Sequence, residues 1–261
     1  MPAGSGAVRI SSMRNPRCLA WLALRTRADR ALRGAFLLDG ERLAREAVNS
    51  GKARALLIDE KRSDRFQPLI YEAVKARVEV CYLPSALMER LSDTPSPQGV
   101  IVEAQTPEEA RADQLGSRVV VLDGVQDPGN VGTIVRTADA AGVTGILTSE
   151  RTADPYSMKA ARASMGSVFR VKVCVKGDVE GIVGGWKKEG VKVVAADARG
   201  EMFSGVRIDE PWALLIGSEG KGVSEGLRAM ADKVASIPMR AEVESLNAAV
   251  AASILIYALR Y

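Results

Sequence analysis

The feature that most limits how this chain can fold is a set of short apolar runs without polar alternation, such as VVVL at residues 119–122 and ALLI at residues 213–216. A strand whose consecutive residues are all apolar must be covered on both faces, as in a mostly parallel sheet between two layers of helices. Such runs alternate with helix-like stretches along the chain, which predicts an α/β fold. In the second half we expect strands at residues 118–123, 145–148, 168–175, 192–196, 212–216 and 234–237.

A polar and charged segment at residues 106–117, with TPEEARADQ within it, is typical of a linker between domains. Before it, residues 12–105 predict a small α/β domain that begins with a helix over residues 12–33. After it, residues 118–261 form the second predicted domain. Residues 1–11 are rich in Gly, Ala and Ser and are expected to form a flexible tail.

Composition excludes several classes of chemistry. The 261 residues contain no histidine, which removes the usual general base and the commonest metal ligand. Three distant cysteines, Cys18, Cys81 and Cys174, favour neither a disulfide framework nor a zinc site. No apolar stretch is long enough to span a bilayer. We therefore expect a cytoplasmic protein without a metal.

Positive charge is concentrated in the first half of the chain. Residues 1–105 carry 17 Lys and Arg against 12 Asp and Glu, a net charge of +5, whereas the remainder carries 19 against 20. A cationic region of this kind suits a phosphate backbone, although charge runs are more often a solvated helix face. The residues predicted to contact such a backbone are Arg25, Arg27, Arg30 and Arg33.

The first of three motifs, residues 122–142, reads LDGVQDPGNVGTIVRTADAAG. It predicts a strand, a loop and a helix in which Arg136 looks buried and is directed back toward the loop that holds Asn130. Ligands bind at the carboxyl ends of strands in open α/β sheets, so this motif could be a site. A capped helix whose arginine satisfies nearby carbonyl groups is an equally good interpretation of this motif alone.

The second motif, WALLIGSEGKGVS at residues 212–224, predicts a strand that enters a glycine-rich loop. Leu215 stands where a phosphate-binding P-loop needs its first glycine, and the glycine spacing does not fit a dinucleotide fingerprint either. What remains is a loop whose backbone can approach a ligand, with the carboxylate of Glu219 at its centre. A plain tight turn is the alternative.

The third motif, residues 234–261, reads VASIPMRAEVESLNAAVAASILIYALRY. A strand passes through a polar loop into a final helix for which Ser245 is the expected N-cap, with Asn247 in the first turn. This helix is apolar nearly all round and has several alanines on its surface, so we expect it to be buried in the domain or at a subunit interface.

In this order and at these separations, the three motifs closely resemble those of the SpoU family, also called the TrmH family, of RNA ribose 2′-O-methyltransferases. KAARASMGSVFRV at residues 159–171 extends the resemblance. The phrases FLLDGERLAREAV and SDTPSPQGVIV are similar, more loosely, to an N-terminal RNA-binding domain that resembles a ribosomal protein. The resemblance implies a deep trefoil knot, S-adenosylmethionine as the cofactor, RNA as the substrate and a homodimer through the C-terminal domain.

The resemblance also implies roles for individual residues. The implied catalytic residues are Arg136, Asn130, Glu219, Ser245 and Asn247. The implied S-adenosylmethionine-binding residues are Thr148, Ile216, Gly217, Ile237, Met239 and Leu246. Family mechanisms assign the arginine as general base, but a guanidinium has a pKa above about 12. Arg136 could instead bind a phosphate and stabilise the developing alkoxide.

The chain departs from the family pattern at Asp39, where glutamate is common, and at Ala241, where glycine is common. Neither position is an implied catalytic residue. Ribosomal RNA is the expected substrate because of the added N-terminal domain, and transfer RNA is the alternative. One competing function is RNA binding by a family member without catalysis, and the intact motif residues count against it. The other is a nucleotide-binding oxidoreductase or phosphotransferase, and the glycine spacings count against it.

Overall fold

The computed structural model describes residues 8–203, 208, 211–240, 242–243 and 245–260, the side chain of Arg260 excepted. The chain forms two compact units. The first contains residues 1–107 and 156–169, and the second contains residues 108–155 and 170–261. The short segment 156–169, which the sequence placed in a continuous second domain, groups with the first unit because the rings of Tyr156 and Phe169 pack on Phe36.

The first unit is a five-stranded mixed sheet with helices. Its strands occur in the order β1-β4-β3-β5-β2, and β5 runs antiparallel to both of its neighbours. The strands are β1 (Val8–Arg9), β2 (Ala35–Asp39), β3 (Ala53–Asp59), β4 (Glu79–Leu83) and β5 (Val100–Gln105). The helices are α1 (Pro16–Ala23), α2 (Arg27–Arg33), α3 (Glu41–Asn49), α4 (Gln67–Lys75) and α5 (Ser85–Leu91).

The N-terminal region differs from the sequence prediction in two respects. The expected single helix over residues 12–33 is two helices, because the side chain of Thr26 accepts a hydrogen bond from the backbone N–H of Asp29 and so starts α2 anew. Residues 1–7 of the expected flexible tail lie outside the described residues. Val8 and Arg9 are a strand paired with β4, not part of a loose tail.

The second unit is a six-stranded sheet, entirely parallel, in the order β11-β9-β10-β6-β7-β8. This confirms the expected α/β fold with a mostly parallel sheet. Its strands are β6 (Arg118–Asp123), β7 (Gly145–Ser149), β8 (Lys172–Lys176), β9 (Lys192–Met202), β10 (Trp212–Gly217) and β11 (Lys233–Ser236). Its helices are α6 (Pro128–Ala141), α8 (Val179–Lys188), α9 (Glu225–Ala229) and α10 (Ala248–Arg260), while α7 (Met158–Ser164) lies in the first unit.

Strand β8 begins later than predicted. Residues 168–171 were expected to start this strand. Residues 168 and 169 instead belong to a 3₁₀ turn at Ser167–Phe169, and pairing with β7 starts only at Lys172. Strand β9 continues beyond the predicted residue 196 as far as Met202.

The apolar runs have the predicted physical basis. In β6, Val120 and Leu122 join a core cluster with α6 and α10, whereas Val119 and Val121 join a cluster with α8. Alternate residues of β10 divide between the same two clusters. Each strand is thus covered on both faces, which is why it shows no polar alternation.

Helix α10 starts at Ala248, and its N-cap is Asn247 rather than the predicted Ser245. The side-chain oxygen of Asn247 accepts hydrogen bonds from the backbone N–H groups of Ala249 at 2.9 Å and Val250 at 3.2 Å. Small buried residues let α10 approach α6 closely, and a hydroxyl pair at 2.9 Å, Thr137 with Ser253, links the two helices. Within the described residues, no helix is both long and apolar enough to cross a membrane.

Candidate active site

Parallel pairing of β6 with β10 brings the first and second motifs together. Leu122 lies opposite Ile216, and Asp123 lies opposite Gly217. Both strands end here, so the loops that follow them lie side by side at the carboxyl edge of the sheet. The side chain of Asp127 caps α6 by accepting from the N–H of Asn130 at 3.0 Å, which fixes Asn130 in the first turn of that helix.

Three of the predicted catalytic residues form one hydrogen-bonded chain. The side-chain amide of Asn247 donates to the side-chain oxygen of Asn130 at 2.9 Å. Asn130 in turn donates to Oε1 of Glu219 at 2.8 Å. The N–H groups of Gln126 and Asp127 donate to the same carboxylate at 3.1 and 3.4 Å. One carboxylate therefore ties all three motifs together.

The surroundings of Glu219 favour its charged form. Burial raises the pKa of this carboxyl, but the hydrogen bonds from Asn130 and from the N–H groups of Gln126 and Asp127 outweigh burial. The pKa of Glu219 consequently lies below its ordinary value of 4.5. At neutral pH the group is an acceptor that orders the loops and is not available as a proton donor.

An apolar cavity of about 250 Å³ opens beside this carboxylate. Five of the six predicted cofactor-binding residues line it: Ile216, Gly217, Ile237, Met239 and Leu246. Ser245 lines it too, and Leu255 and the small residues Ala248 and Ala251 of α10 close one wall.

Thr148, the sixth predicted cofactor-binding residue, does not line the cavity. It lies on β7, which is separated from β10 by β6, and it is buried. Its hydroxyl has no hydrogen-bond partner among the described residues. The prediction for Thr148 is therefore not supported by the position of its side chain.

The second-motif loop is a closed turn that tolerates no side chain at its start. The backbone N–H groups and carbonyls of Ser218 and Gly222 bond to each other in both directions, at 2.9 and 3.1 Å. A Cβ atom at Gly217 would lie 1.8 Å from the carbonyl carbon of Gly222. Glycine is required here by space, because the loop backbone folds directly over this residue.

Arg136 is exposed, so the prediction that it is buried is wrong. It follows Asn130 by six residues on α6, which places it about 9 Å farther along the helix axis and about 240° around it. Arg136 has no hydrogen-bond or ion-pair partner among the described residues. Unlike Ser245, which lines the cavity, it takes no part in the cavity wall or the polar chain.

Sequence reasoning missed Gln126 and Asp197. The backbone of Gln126 holds Glu219, and its side-chain amide donates to the carbonyls of Gly124 and Arg151. Asp197 lines the apolar cavity and accepts from the guanidinium of Arg228 at 2.9 Å. Its position after the apolar run of β9 is the signal that could have identified it, since strand β9 pairs with β10.

The four predicted RNA-binding arginines of the first unit differ in accessibility. Arg30 is buried, and its guanidinium donates to the carbonyl of Leu24 at 2.7 Å, so it cannot contact RNA without leaving its site. Arg25 donates to the carbonyls of Arg90 and Ser92 but is exposed. Arg27 is half-buried and Arg33 is exposed.

The comparison with family models identifies both parts of the chain. The model described as the SpoU rRNA methylase family matches residues 117–257. The chain belongs to this family. The model of an MRM3-like substrate-binding domain matches residues 15–102. No cluster of three His, Cys, Asp or Glu side chains that could hold a metal ion occurs in the described part of this SpoU-family protein.

Named relatives extend over nearly the whole chain. It is 35% identical over 255 residues to the 23S rRNA (guanosine(2553)-2′-O)-methyltransferase RlmP of Bacillus subtilis. The alignment covers 97% of this chain and 99% of the relative. It is 33% identical to the 23S rRNA (uridine(2479)-2′-O)-methyltransferase of Streptomyces viridochromogenes, over 96% of this chain and 91% of the relative.

A similar solved structure is the SpoU methyltransferase AviRb from Streptomyces viridochromogenes in complex with AdoMet. It has a TM-score of 0.83 and 32% identity and covers 94% of this chain and 97% of that chain. An rRNA methyltransferase from Sinorhizobium meliloti has a TM-score of 0.81 and 29% identity, with 97% of each chain covered.

The depressed pKa of Glu219 predicts a pH dependence of stability. The hydrogen bonds to its carboxylate stabilise the fold above the ordinary pKa of 4.5, and this contribution is lost as the pH falls through the lower folded value. We expect the free energy of unfolding of Glu219→Gln to decrease less on acidification than that of the wild type, because the variant has no carboxylate to protonate. Urea unfolding of both proteins between about pH 6 and pH 3 measures this difference.

Glu189→Gln is the matched control, since Glu189 is exposed at the end of α8. Its acid dependence should follow that of the wild type. Superimposable curves for Glu219→Gln and the wild type would contradict the role assigned to these hydrogen bonds.

Proposed function

We propose that this protein transfers a methyl group from S-adenosylmethionine to a ribose 2′-hydroxyl of ribosomal RNA. The observation that carries the proposal is the apolar cavity beside the hydrogen-bonded chain of Asn247, Asn130 and Glu219, built by the three motifs of a SpoU-family protein. Two relatives similar over nearly the whole chain are named as 23S rRNA 2′-O-methyltransferases. We therefore favour 23S rRNA as the substrate.

The residues that line the cavity fit S-adenosylmethionine. Ile216, Ile237 and Leu246 offer apolar contacts for an adenosine and a thioether chain. Gly222, with open space on its side-chain side, leaves the loop backbone open to close approach. The carboxylate of Asp197 is the acidic group that could meet the cationic end of the cofactor.

The cofactor supplies an electrophilic methyl group on a sulfonium, and the chain supplies position and charge. Glu219, held by three N–H donors, fixes the second-motif loop against the first. Ser245 at the cavity rim and Asn247 position the attacking hydroxyl. Alignment of the reacting atoms contributes a large part of the rate in such a displacement.

We assign Arg136 to the phosphate next to the target ribose, where it stabilises the alkoxide that develops during attack. The 2′-hydroxyl would lose its proton to water, and S-adenosylhomocysteine would be the leaving group. A guanidinium binds its proton strongly and is therefore a poor general base. Its planar fork suits a phosphate oxygen pair. The general-base assignment would need burial that Arg136 lacks.

Methyl transfer from labelled S-adenosylmethionine to an unmodified 23S rRNA transcript tests the proposal, with a tRNA transcript as the second substrate. We expect label at a ribose 2′-oxygen of the 23S transcript. Arg136→Ala should lower turnover at least about 100-fold because it removes charge stabilisation in the transition state. Calorimetry should show unchanged cofactor affinity for this variant, since Arg136 does not line the cavity.

Binding of ATP or NAD in place of S-adenosylmethionine would overturn the proposed function, and label on the tRNA alone would overturn the assignment of the RNA. Arg136→Lys separates the two roles of the arginine. Lysine releases a proton more easily but cannot form the fork, so near-normal turnover of this variant would contradict the phosphate role.

We further propose that the protein works in the cytoplasm as a homodimer through its C-terminal domain, which is threaded as a deep trefoil knot. Support for the knot is that parts of the chain far apart in sequence line one cavity, among them Ala198, Ser218 and Leu246. Support for the dimer is an apolar stripe on α10, where Val250 is 48% and Tyr257 42% exposed. They are seven residues apart and so share one helix face.

The double variant Val250→Glu, Tyr257→Glu should dissociate the dimer, because it places charges within an apolar contact. Light scattering after size-exclusion chromatography would then give the mass of one chain in place of two. Leu32→Glu is the control, since Leu32 is 83% exposed in the first unit. A wild-type protein that is monomeric at all concentrations tested would rule out the dimer.

A further inference from the structure

A second groove, of about 530 Å³, lies at the carboxyl ends of β6 and β10. We call it the outer groove. It shares Ser218, Glu219 and Gly222 with the apolar cavity, so the second-motif loop is a wall common to both spaces. The remaining residues that line it are Asp123, Gly124, Gln126, Arg151, Gly220, Lys221 and Ser224.

The two carboxylates of the outer groove are already satisfied within the protein. Oδ1 of Asp123 accepts from Arg151 at 3.1 Å and Oδ2 accepts from the N–H of Ser224 at 2.9 Å, while only 4% of the Asp123 side chain is exposed. Glu219 accepts from Asn130 and two backbone N–H groups. Neither acid therefore needs a cation from outside.

The two cations of the groove retain free donors. Arg151 is 73% exposed and spends one guanidinium nitrogen on Asp123, so its other N–H groups face outward. Lys221 is exposed at the tip of the second-motif loop, and its ammonium has no partner in the described part of the chain. Arg151 and Lys221 are therefore the exposed cationic side chains among the residues that line the groove.

Arg151 is held in place from two sides. Asp123 binds its side chain, and the amide of Gln126 donates to its backbone carbonyl at 2.7 Å. Because Asp123 also binds the N–H of Ser224, it ties the end of β6 to the start of α9. An arginine fixed in this way loses little side-chain freedom when it binds an anion.

We propose that the outer groove holds the backbone of the acceptor RNA strand, with Arg151 and Lys221 contacting a phosphate beyond the one assigned to Arg136. The inference rests on the proposed function. Its support is the pair of cations with free donors at a groove that shares a wall with the proposed cofactor cavity. A phosphodiester offers the paired oxygens that a guanidinium and an ammonium bind well. Asp123 is a positioning residue that acts through Arg151.

The test compares Arg151→Ala, Lys221→Ala and the double variant Arg151→Glu, Lys221→Glu with the wild type. We expect each alanine variant to weaken binding of a short fluorescent single-stranded oligoribonucleotide several-fold, and the double glutamate variant to weaken it at least about tenfold. The slope of log affinity against log salt should decrease by roughly 1 for each phosphate contact removed. On the 23S transcript, KM should rise while kcat stays within about twofold.

Lys188→Glu is the control, because Lys188 is an exposed lysine on α8 that does not line the groove. Arg151→Lys keeps the charge and should recover most of the affinity lost in Arg151→Ala. S-adenosylmethionine affinity, measured by calorimetry, should be unchanged in all variants.

The inference would be overturned if the Arg151 and Lys221 variants had the same RNA affinity, salt slope and KM as Lys188→Glu. It would also be overturned if these variants lost cofactor affinity in parallel with RNA affinity. The binding measurements do not depend on methyl transfer. If the wild type transfers no methyl group but the groove variants weaken RNA binding, the proposed function fails and the groove remains an RNA site. If the wild type methylates 23S rRNA and the variants behave as the control, the groove assignment alone fails.

Discussion

The parallel pairing of β6 with β10 is the constraint on which the rest of the candidate site depends. This pairing places Asp123 opposite Gly217 at the point where both strands end. The backbone of the first loop can then donate two N–H groups to Glu219 of the second. A shift of one residue in this register would turn the strand residues to the opposite helix layer and exchange the two core clusters. The packing of the core therefore fixes the geometry of the loops.

Much of the second unit could be predicted because its signals are local. The apolar runs identify strands that need two covered faces, and each observed strand overlaps its predicted range, although β9 continues well beyond it. Ile216, Gly217 and Ile237 line the apolar cavity, because they lie where the parallel strands β10 and β11 end, at one edge of the sheet. Thr148 does not line this cavity, and its motif position does not reveal that β6 lies between β7 and β10.

The errors concern the direction and accessibility of long side chains. Sequence spacing places Arg136 near Asn130, but the helical rotation of α6 turns the two residues to different faces. The exposed position of Arg136 then follows from Ile134, Val135 and Ala138 occupying the buried face. Arg30 shows the opposite error. A charge run indicates exposure, yet one turn of α2 directs this guanidinium to the carbonyl of Leu24 at the break between two helices.

A single carboxylate can order the loops because its hydrogen bonds cooperate with helix capping on both sides. Asp127 caps α6 and thereby presents Asn130, and Asn247 caps α10 while it donates to Asn130. Glu219 accepts the last hydrogen bond of this chain, from the side-chain amide of Asn130. Displacement of the first turn of α6 or of α10 would therefore leave the charged carboxylate partly unsatisfied. The same loop forms a wall of the apolar cavity and of the outer groove. A change that displaces Glu219 therefore alters the shape of both spaces at once.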